Sequence, residues 1–165
     1  MRNAERDTSN RLKNKNIRHI LVMCYGNIYR SPFVEKYLAE RLGEDFEIRS
    51  AGFHPKSNRA SSEAHIKMCL EYNVDLSAHR STVVNRELTD WADVIVIMDR
   101  HNWYALADYP SATSKVLWLG VLLEQSIKEI QDPYSKSESE ARLIVQQLLA
   151  SSGRLEDKFR ENCRR

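Results

Sequence analysis

A cysteine, a glycine and an arginine lie close together in the segment CYGNIYRS, residues 24–31, which directly follows the apolar residues 20–23. Gly26 permits a tight turn, and successive backbone amides in such a turn form a concave site for anions. Arg30 adds a planar guanidinium that matches two phosphate oxygens. Because such positive surroundings stabilise a thiolate, the spacing predicts that Cys24 is a nucleophile at the centre of a phosphate-binding loop.

Two further polar residues of this segment, Asn27 and Ser31, can hold the loop and the sulfur in place through hydrogen bonds. A cysteine that ends an apolar strand is otherwise a small buried hydrophobic residue, and Cys-x5-Arg alone is a weak signal. The segment lies between a predicted strand and a predicted helix. This position favours the functional interpretation, because a helix amino terminus attracts anions.

Phosphoryl transfer to sulfur also needs an acid that protonates the departing oxygen. The candidate is Asp132 in the segment QDPYSKS, residues 131–137, where the following proline stiffens the chain. The same Asp-Pro-Tyr could be only a turn before the last helix. Asp99 follows an apolar run and is a second carboxylate expected near the site.

The composition argues against several classes of function. The 165 residues suffice for one domain with its own core, and 25 Lys and Arg residues nearly balance 23 Asp and Glu residues, which argues against a nucleic-acid binder. No run approaches the roughly 18 apolar residues of a membrane helix. The polar amino terminus lacks the apolar centre of a secretory signal, so a cytoplasmic location is expected.

The three cysteines, Cys24, Cys69 and Cys163, form no recognisable pairing pattern, so free thiols in a reducing compartment are predicted. His65 and Cys69 are four residues apart and could share a helix face. Two ligands alone do not make a metal site, and no CxxC motif is present. We therefore predict neither a metal nor another cofactor.

Predicted strands and helices alternate along the chain. The apolar patterns predict strands at residues 18–24, 46–52, 93–98 and 115–120, and helices at residues 31–43, 59–72, 100–109 and from 137 onward. This alternation indicates an α/β fold, with a parallel sheet and helices on both faces. Ligands of such sheets bind beyond the carboxyl ends of the strands, where both Cys24 and Asp99 are expected. Residues 1–16 are predicted to be a disordered polar arm, and residues 17–165 a single domain.

The segments ILVMCYGNIYRSPFVE, RSAG, SAHRS, ADVIVIMDRHN and DPY resemble, in the same order, the sequence blocks of the low-molecular-weight protein tyrosine phosphatases. The resemblance runs from about residue 17 to the final helix. It implies a three-layer α/β fold with a four-stranded parallel sheet flanked by helices on both faces. It also implies a metal-free phosphotyrosine hydrolysis in which Cys24 attacks phosphorus, Arg30 binds the phosphoryl oxygens and Asp132 acts as general acid and then base.

The resemblance carries over to further positions. It implies a phosphate-binding loop of Tyr25, Gly26, Asn27, Ile28, Tyr29 and Ser31, supporting residues Ser50 and His79, and a substrate cleft walled by Tyr25, Phe53, His54 and Tyr134. Tyr29 is a departure, because the family often has a second cysteine there that traps an oxidised nucleophile as a disulfide. Without that thiol, Cys24 is expected to proceed more readily to irreversible oxidation.

Two alternatives share the loop. Relatives with this loop reduce arsenate, but that reaction needs further cysteines, and the usual closely spaced downstream pair is absent. A regulatory module that binds phosphate without turnover would need neither Cys24 nor Asp132. The expected partners are phosphotyrosine proteins, among them a bacterial tyrosine kinase of exopolysaccharide synthesis, and the chain is expected to be a monomer or a weak dimer.

Overall fold

One parallel sheet forms the centre of the molecule. The computed structural model describes residues 2–123 and 128–164, and the side chains there except those of Arg2, Cys163 and Arg164. The strands are β1 His19–Cys24, β2 Glu47–Gly52, β3 Val94–Ile97 and β4 Val116–Trp118. All pair in parallel, in the order β2-β1-β3-β4. The predicted four-stranded parallel sheet is confirmed. The side chain of Cys163 lies outside those described, so its free thiol stays a prediction.

Helices cover both faces of the sheet. They are α1 Arg2–Leu12, α2 Arg30–Leu42, α3 Glu63–Leu70, α4 Arg86–Trp91, α5 Arg100–Ala105 and α6 Glu138–Arg164. One hydrophobic core joins α2, α3 and α6 to one face, and a second core joins α1, α4 and α5 to the other. The predicted three-layer α/β architecture is therefore confirmed. No helix within residues 2–123 and 128–164 combines the length and apolar character needed to span a membrane.

Strand β1 is buried on both sides, which explains its continuous apolar sequence. Ile20 and Val22 contribute to the core under α2, whereas Leu21 and Met23 contribute to the core under α1. Side chains of successive strand residues point to opposite faces, so a central strand with two covered faces needs no polar alternation. This strand places Cys24 at the carboxyl edge of the sheet, between β2 and β3.

The amino-terminal segment differs from the disordered arm that the sequence predicts for residues 1–16. Helix α1 packs on strand β4, with Ala4 and Thr8 buried against it. The Thr8 hydroxyl Oγ1 accepts a hydrogen bond of 3.1 Å from the backbone amide of Trp118. The prediction failed for residues 2–12 because the buried stripe consists of two small side chains, and apart from Leu12 the rest of the helix is mostly polar.

Candidate active site

The segment from Cys24 to Arg30 forms a loop at the carboxyl edge of the sheet. The loop begins where β1 ends and stops where α2 begins, at Arg30. The Cys24 sulfur is buried and lies 3.1 Å from the Ser31 Oγ and 3.2 Å from the backbone nitrogen of Asn27. Both groups can donate a hydrogen bond to a thiolate. The structure therefore brings the predicted nucleophile and two potential donors together.

The carbonyl groups of five consecutive loop residues bond outward. Those of residues 25 to 29 meet, in order, the His54 amide at 2.9 Å, Arg59 Nη2 at 2.5 Å, His79 Nε2 at 2.7 Å, the Ser61 hydroxyl, and His65 Nε2 at 3.2 Å. In a trans peptide the C=O and the following N–H point in opposite directions. The amides of residues 26 to 30 therefore face the inside of the loop, where they form a concave anion site.

Asn27 shapes the loop from within. Its backbone is left-handed, with φ of 51°, a conformation that asparagine tolerates better than most residues. Its side-chain Nδ2 donates to Ser31 Oγ at 2.9 Å and to Ser50 Oγ at 2.7 Å, and its Oδ1 accepts from the Thr82 amide at 2.8 Å. The bonds to Ser31 and Ser50 tie the loop to helix α2 and strand β2.

A partly buried carboxylate extends this network. The Ser50 hydroxyl donates to Glu35 Oε2, and His79, the other predicted supporting residue, contacts the Asn27 carbonyl. Burial raises the pKa of Glu35, although the hydrogen bond from Ser50 and the charge of His79 oppose that shift. Glu35 was not among the residues predicted from the sequence. The available signal was its position on α2, one helical turn after Ser31.

The Arg30 side chain is only 1% exposed and links three parts of the chain. Its Nη1 donates to Asp99 Oδ2 at 2.5 Å and to the Ile130 carbonyl at 2.9 Å, and its Nη2 donates to Asp132 Oδ2 at 2.7 Å. Burial opposes the charge, but the charges of Cys24, Asp132 and Asp99 outweigh burial and raise the Arg30 pKa. Among the described residues, the buried Nε has no hydrogen-bond partner, so this donor is available to an anion in the loop.

Both candidate carboxylates are oriented by their own local structure. Asp99 precedes α5, and its Oδ1 accepts a hydrogen bond of 2.9 Å from the Asn102 amide. Asp132 Oδ1 accepts a bond of 3.0 Å from the Tyr134 amide, as in an Asx turn. In each residue the second oxygen, Oδ2, binds Arg30. The turn that could have been only structural thus aims Asp132 at the phosphate-binding loop.

A cleft of about 420 Å³ opens above the loop. It is lined by Cys24, Tyr25, Gly26, Ile28, Tyr29, His54, Arg59, Asp132 and Tyr134. The Tyr25 and Tyr134 side chains are 53% and 69% exposed, and His54 meets the Tyr25 ring edge to face with centroids 5.8 Å apart. Phe53, predicted as a wall, instead packs against the core beneath α1, α4 and α5. Arg59 lines the cleft, although nothing in its sequence context had marked it.

The possible metal pair identified in the sequence is an ordinary helix contact. His65 and Cys69 share a face of α3, with the Cys69 sulfur 3.3 Å from His65 Nε2. Burial lowers the pKa of His65 to about 4 and raises that of Cys69 to about 12. Within residues 2–123 and 128–164, no three His, Cys, Asp or Glu side chains cluster so that they could hold a metal ion.

Comparisons with known proteins agree with this geometry. The family model described as low molecular weight phosphotyrosine protein phosphatase matches residues 19–165. The low molecular weight protein-tyrosine-phosphatase Etp of Escherichia coli strain K12 is 34% identical over 120 residues, which cover 72% of this chain and 79% of Etp. Vibrio vulnificus Wzb, solved with benzylphosphonate, superposes with a TM-score of 0.78 at 26% identity, covering 87% of this chain and 99% of Wzb. The YwlE arginine phosphatase from Geobacillus stearothermophilus superposes with a TM-score of 0.78 at 25% identity, covering 87% of this chain and 94% of YwlE.

Proposed function

The chain belongs to the low molecular weight phosphotyrosine protein phosphatase family, and we propose that it hydrolyses phosphotyrosine through a covalent cysteinyl phosphate. One observation carries this proposal. The Cys24 sulfur and the Asp132 carboxylate line a single cleft beside the loop amides, and the buried Arg30 guanidinium is hydrogen-bonded to Asp132. A nucleophile, an anion site and a proton donor are the groups that phosphoryl transfer to sulfur requires.

In the first step, the Cys24 thiolate attacks phosphorus from the floor of the loop. The S–P bond forms while the P–O bond to the phenol breaks, and Asp132 gives its proton to the departing phenolic oxygen. The loop amides and Arg30 bind the three non-bridging oxygens, whose charge is present throughout the step. The unpartnered Arg30 Nε provides one donor for these oxygens without breaking a bond within the described part of the protein.

In the second step, water replaces the phenol. Asp132, now ionised, takes a proton from the water as its oxygen attacks phosphorus, and the S–P bond breaks. The products are inorganic phosphate and the regenerated Cys24 thiolate, which the Ser31 hydroxyl and the Asn27 amide can stabilise. One carboxylate therefore serves both steps, because the leaving oxygen and the attacking water occupy the same side of phosphorus.

The walls of the cleft favour an aryl phosphate. The exposed rings of Tyr25 and Tyr134 offer apolar faces against which a phenyl ring can pack. Phosphoarginine is the relevant competitor, because one similar structure is that of an arginine phosphatase. The guanidinium of such a substrate would gain most from a carboxylate. Among the described residues that line the cleft, the only carboxylate is that of Asp132, which is paired with Arg30.

The test uses four peptides of identical flanking sequence that carry phosphotyrosine, phosphoserine, phosphothreonine or phosphoarginine. We expect kcat/KM for phosphotyrosine to exceed the others by at least about 100-fold, because only a long aryl side chain reaches the sulfur while packing on the walls. Rapid mixing with p-nitrophenyl phosphate should give a burst of p-nitrophenol that Cys24→Ser abolishes. A preference for phosphoarginine, or turnover by Cys24→Ser, would reject the proposal.

The same measurements address the alternatives. A binding module without turnover would give no burst. Arsenate reduction needs a second reactive thiol. Apart from Cys24, the cysteine whose side chain the structure describes is Cys69, which is buried and whose pKa of about 12 keeps it protonated at neutral pH. We therefore expect no arsenate turnover with a thiol reductant under conditions in which p-nitrophenyl phosphate is hydrolysed.

A further inference from the structure

Three side chains from one short segment bind the outer side of the phosphate-binding loop. Arg59, Ser61 and His65 lie between the end of β2 and the first turn of α3. They bond to the carbonyls of residues 26, 28 and 29, respectively. We propose that these three residues form an outer brace that positions the loop for anion binding, with His65 as its principal member. The inference rests on the proposed function only in taking the anion to be the phosphoryl group of that site.

His65 controls the last peptide unit of the loop. Its Nε2 contacts the Tyr29 carbonyl at 3.2 Å, so the amide of Arg30, on the opposite side of that peptide, faces the anion site. Arg30 begins α2, and the side chain of Tyr29, which occupies the N-cap position, makes no capping hydrogen bond. A free amide at a helix start is a strong anion donor. Holding the Tyr29 carbonyl outward therefore determines both the geometry of the anion site and its polarity.

The His65 ring is itself fixed in place. It is 4% exposed, and it packs edge to face on the Tyr29 ring with centroids 4.7 Å apart. A neutral imidazole satisfies the Tyr29 carbonyl only when Nε2 carries the proton. In that tautomer the nearby Cys69 sulfur, 3.3 Å from Nε2, is a second, weak acceptor. The contact with Tyr29, and not that with Cys69, is thus the one that bears on the loop.

Ser61 and Arg59 extend the brace along the loop. Ser61 is 6% exposed, and its hydroxyl donates to the Ile28 carbonyl. Arg59 is anchored by its own Nε, which donates to the Lys56 carbonyl at 3.0 Å, while Nη2 bonds to Gly26. A carbonyl that loses its donor in such partly buried surroundings is under-satisfied and is no longer held away from the anion. A carbonyl turned inward would repel a phosphate.

The decisive comparison is His65→Leu with His65→Gln. Leucine fills the space but has no donor, whereas the glutamine amide can donate from nearly the position of Nε2. The readout is the affinity for inorganic phosphate, measured by calorimetry and as competitive inhibition with p-nitrophenyl phosphate. We expect His65→Leu to weaken phosphate binding by about tenfold and His65→Gln to stay within about threefold of the wild type. Cys69→Ala, the control for core packing, should bind phosphate as the wild type does.

The outcomes separate the brace from general stability and from the proposed function. Equal phosphate affinity in His65→Leu and His65→Gln, or an equal loss in Cys69→Ala, overturns the brace. If His65→Leu does not fold, Ser61→Ala provides the comparison through the Ile28 carbonyl, and unchanged phosphate affinity there also overturns it. If the wild type and the variants show the expected order of phosphate affinities but the wild type does not hydrolyse phosphotyrosine, the brace stands and the proposed function fails.

Discussion

The Nη2 atom of Arg30 lies 2.7 Å from Oδ2 of Asp132. The residue proposed to bind phosphate and the residue proposed to transfer the proton are therefore joined by an ion pair. Asp132 is one hydrogen bond away from a group that would contact the phosphoryl oxygens, which places its carboxylate within reach of the leaving oxygen. A phosphate that takes Nη2 in addition to the unpartnered Nε would compete with Asp132 for that donor, and its binding would release the carboxylate for acid catalysis.

Asp132→Ala should lower kcat on phosphotyrosine by roughly 10²–10⁴, equivalent to about 3–5 kcal/mol, because the phenolic oxygen then leaves unprotonated. The loss should shrink for aryl phosphates whose leaving groups are more acidic. The measurement is kcat for a series of aryl phosphates plotted against leaving-group acidity, with the exposed Asp75→Ala as control. An equal loss across the whole series would remove Asp132 from the acid role.

Asp99→Asn should weaken anion binding while preserving the start of helix α5. Asparagine keeps the oxygen that accepts from the Asn102 amide but loses the charge that binds Arg30 Nη1 at 2.5 Å. We expect kcat/KM to fall about tenfold and the inhibition constant of phosphate to rise. His101→Ala, which changes an exposed neighbour of Asp99, is the matched control. An unchanged phosphate affinity would show that Ile130 and Asp132 suffice to orient Arg30.

His65 should make the folded state sensitive to mild acid. Burial lowers its pKa from 6.5 to about 4, so the unfolded chain takes up the proton first as pH falls. The contribution of His65 to the free energy of unfolding is therefore fully present above pH 6.5 and declines towards pH 4. At pH 5 this contribution is smaller by about 2 kcal/mol. Urea unfolding at pH 7.5 and pH 5 should show that the free energy of unfolding falls by this additional amount in the wild type but not in His65→Gln. Parallel losses in both proteins would contradict the prediction.

Hydrogen peroxide should inactivate the enzyme with little recovery in dithiothreitol. The Cys24 thiolate is oxidised to a sulfenic acid, and Tyr29 provides no thiol to condense with it, so further oxidation follows. In Tyr29→Cys the new thiol can form a disulfide with Cys24, releasing water, and dithiothreitol would then restore most of the activity. Cys69→Ala should resemble the wild type, because the Cys69 thiol is buried and protonated. Full recovery of the wild type after a large oxidant excess would refute this idea.

Helix α1 should contribute measurably to stability through Thr8. Thr8→Val preserves the side-chain shape but leaves the Trp118 amide without its acceptor, which should lower the free energy of unfolding by about 1–3 kcal/mol. Thr8→Ser keeps the acceptor and is the control. Urea unfolding followed by tryptophan fluorescence measures the free energy of unfolding of both variants. If Thr8→Val and Thr8→Ser were equally stable, the hydrogen bond between Thr8 and Trp118 would contribute no net stability.

Several features of the protein were determined by local sequence. The strand before Cys24 is a continuous apolar run, and the residues from Cys24 to Ser31 lie next to one another in the chain. Their spacing, together with their position between a strand and a helix, predicts the loop and its chemistry. The alternation of strands and helices predicted the layers, because each element carries its own periodic pattern. Residues 1–16 were misread, since the buried stripe of Ala4 and Thr8 is too narrow to give a hydrophobic signal.

Only the tertiary structure decided which distant side chains meet the loop. Arg30 contacts Asp99 and Asp132 across about 70 and 100 positions of sequence, and His65 approaches Tyr29 from helix α3. Each is a single hydrogen bond that depends on the order of strands in the sheet and on the paths of the connecting loops. Such bonds repeat at no fixed interval, so no periodic pattern in the sequence records them, although the strand pattern does place Asp99 near Cys24. The burial of whole strands and helices, in contrast, produces apolar runs that are continuous or periodic.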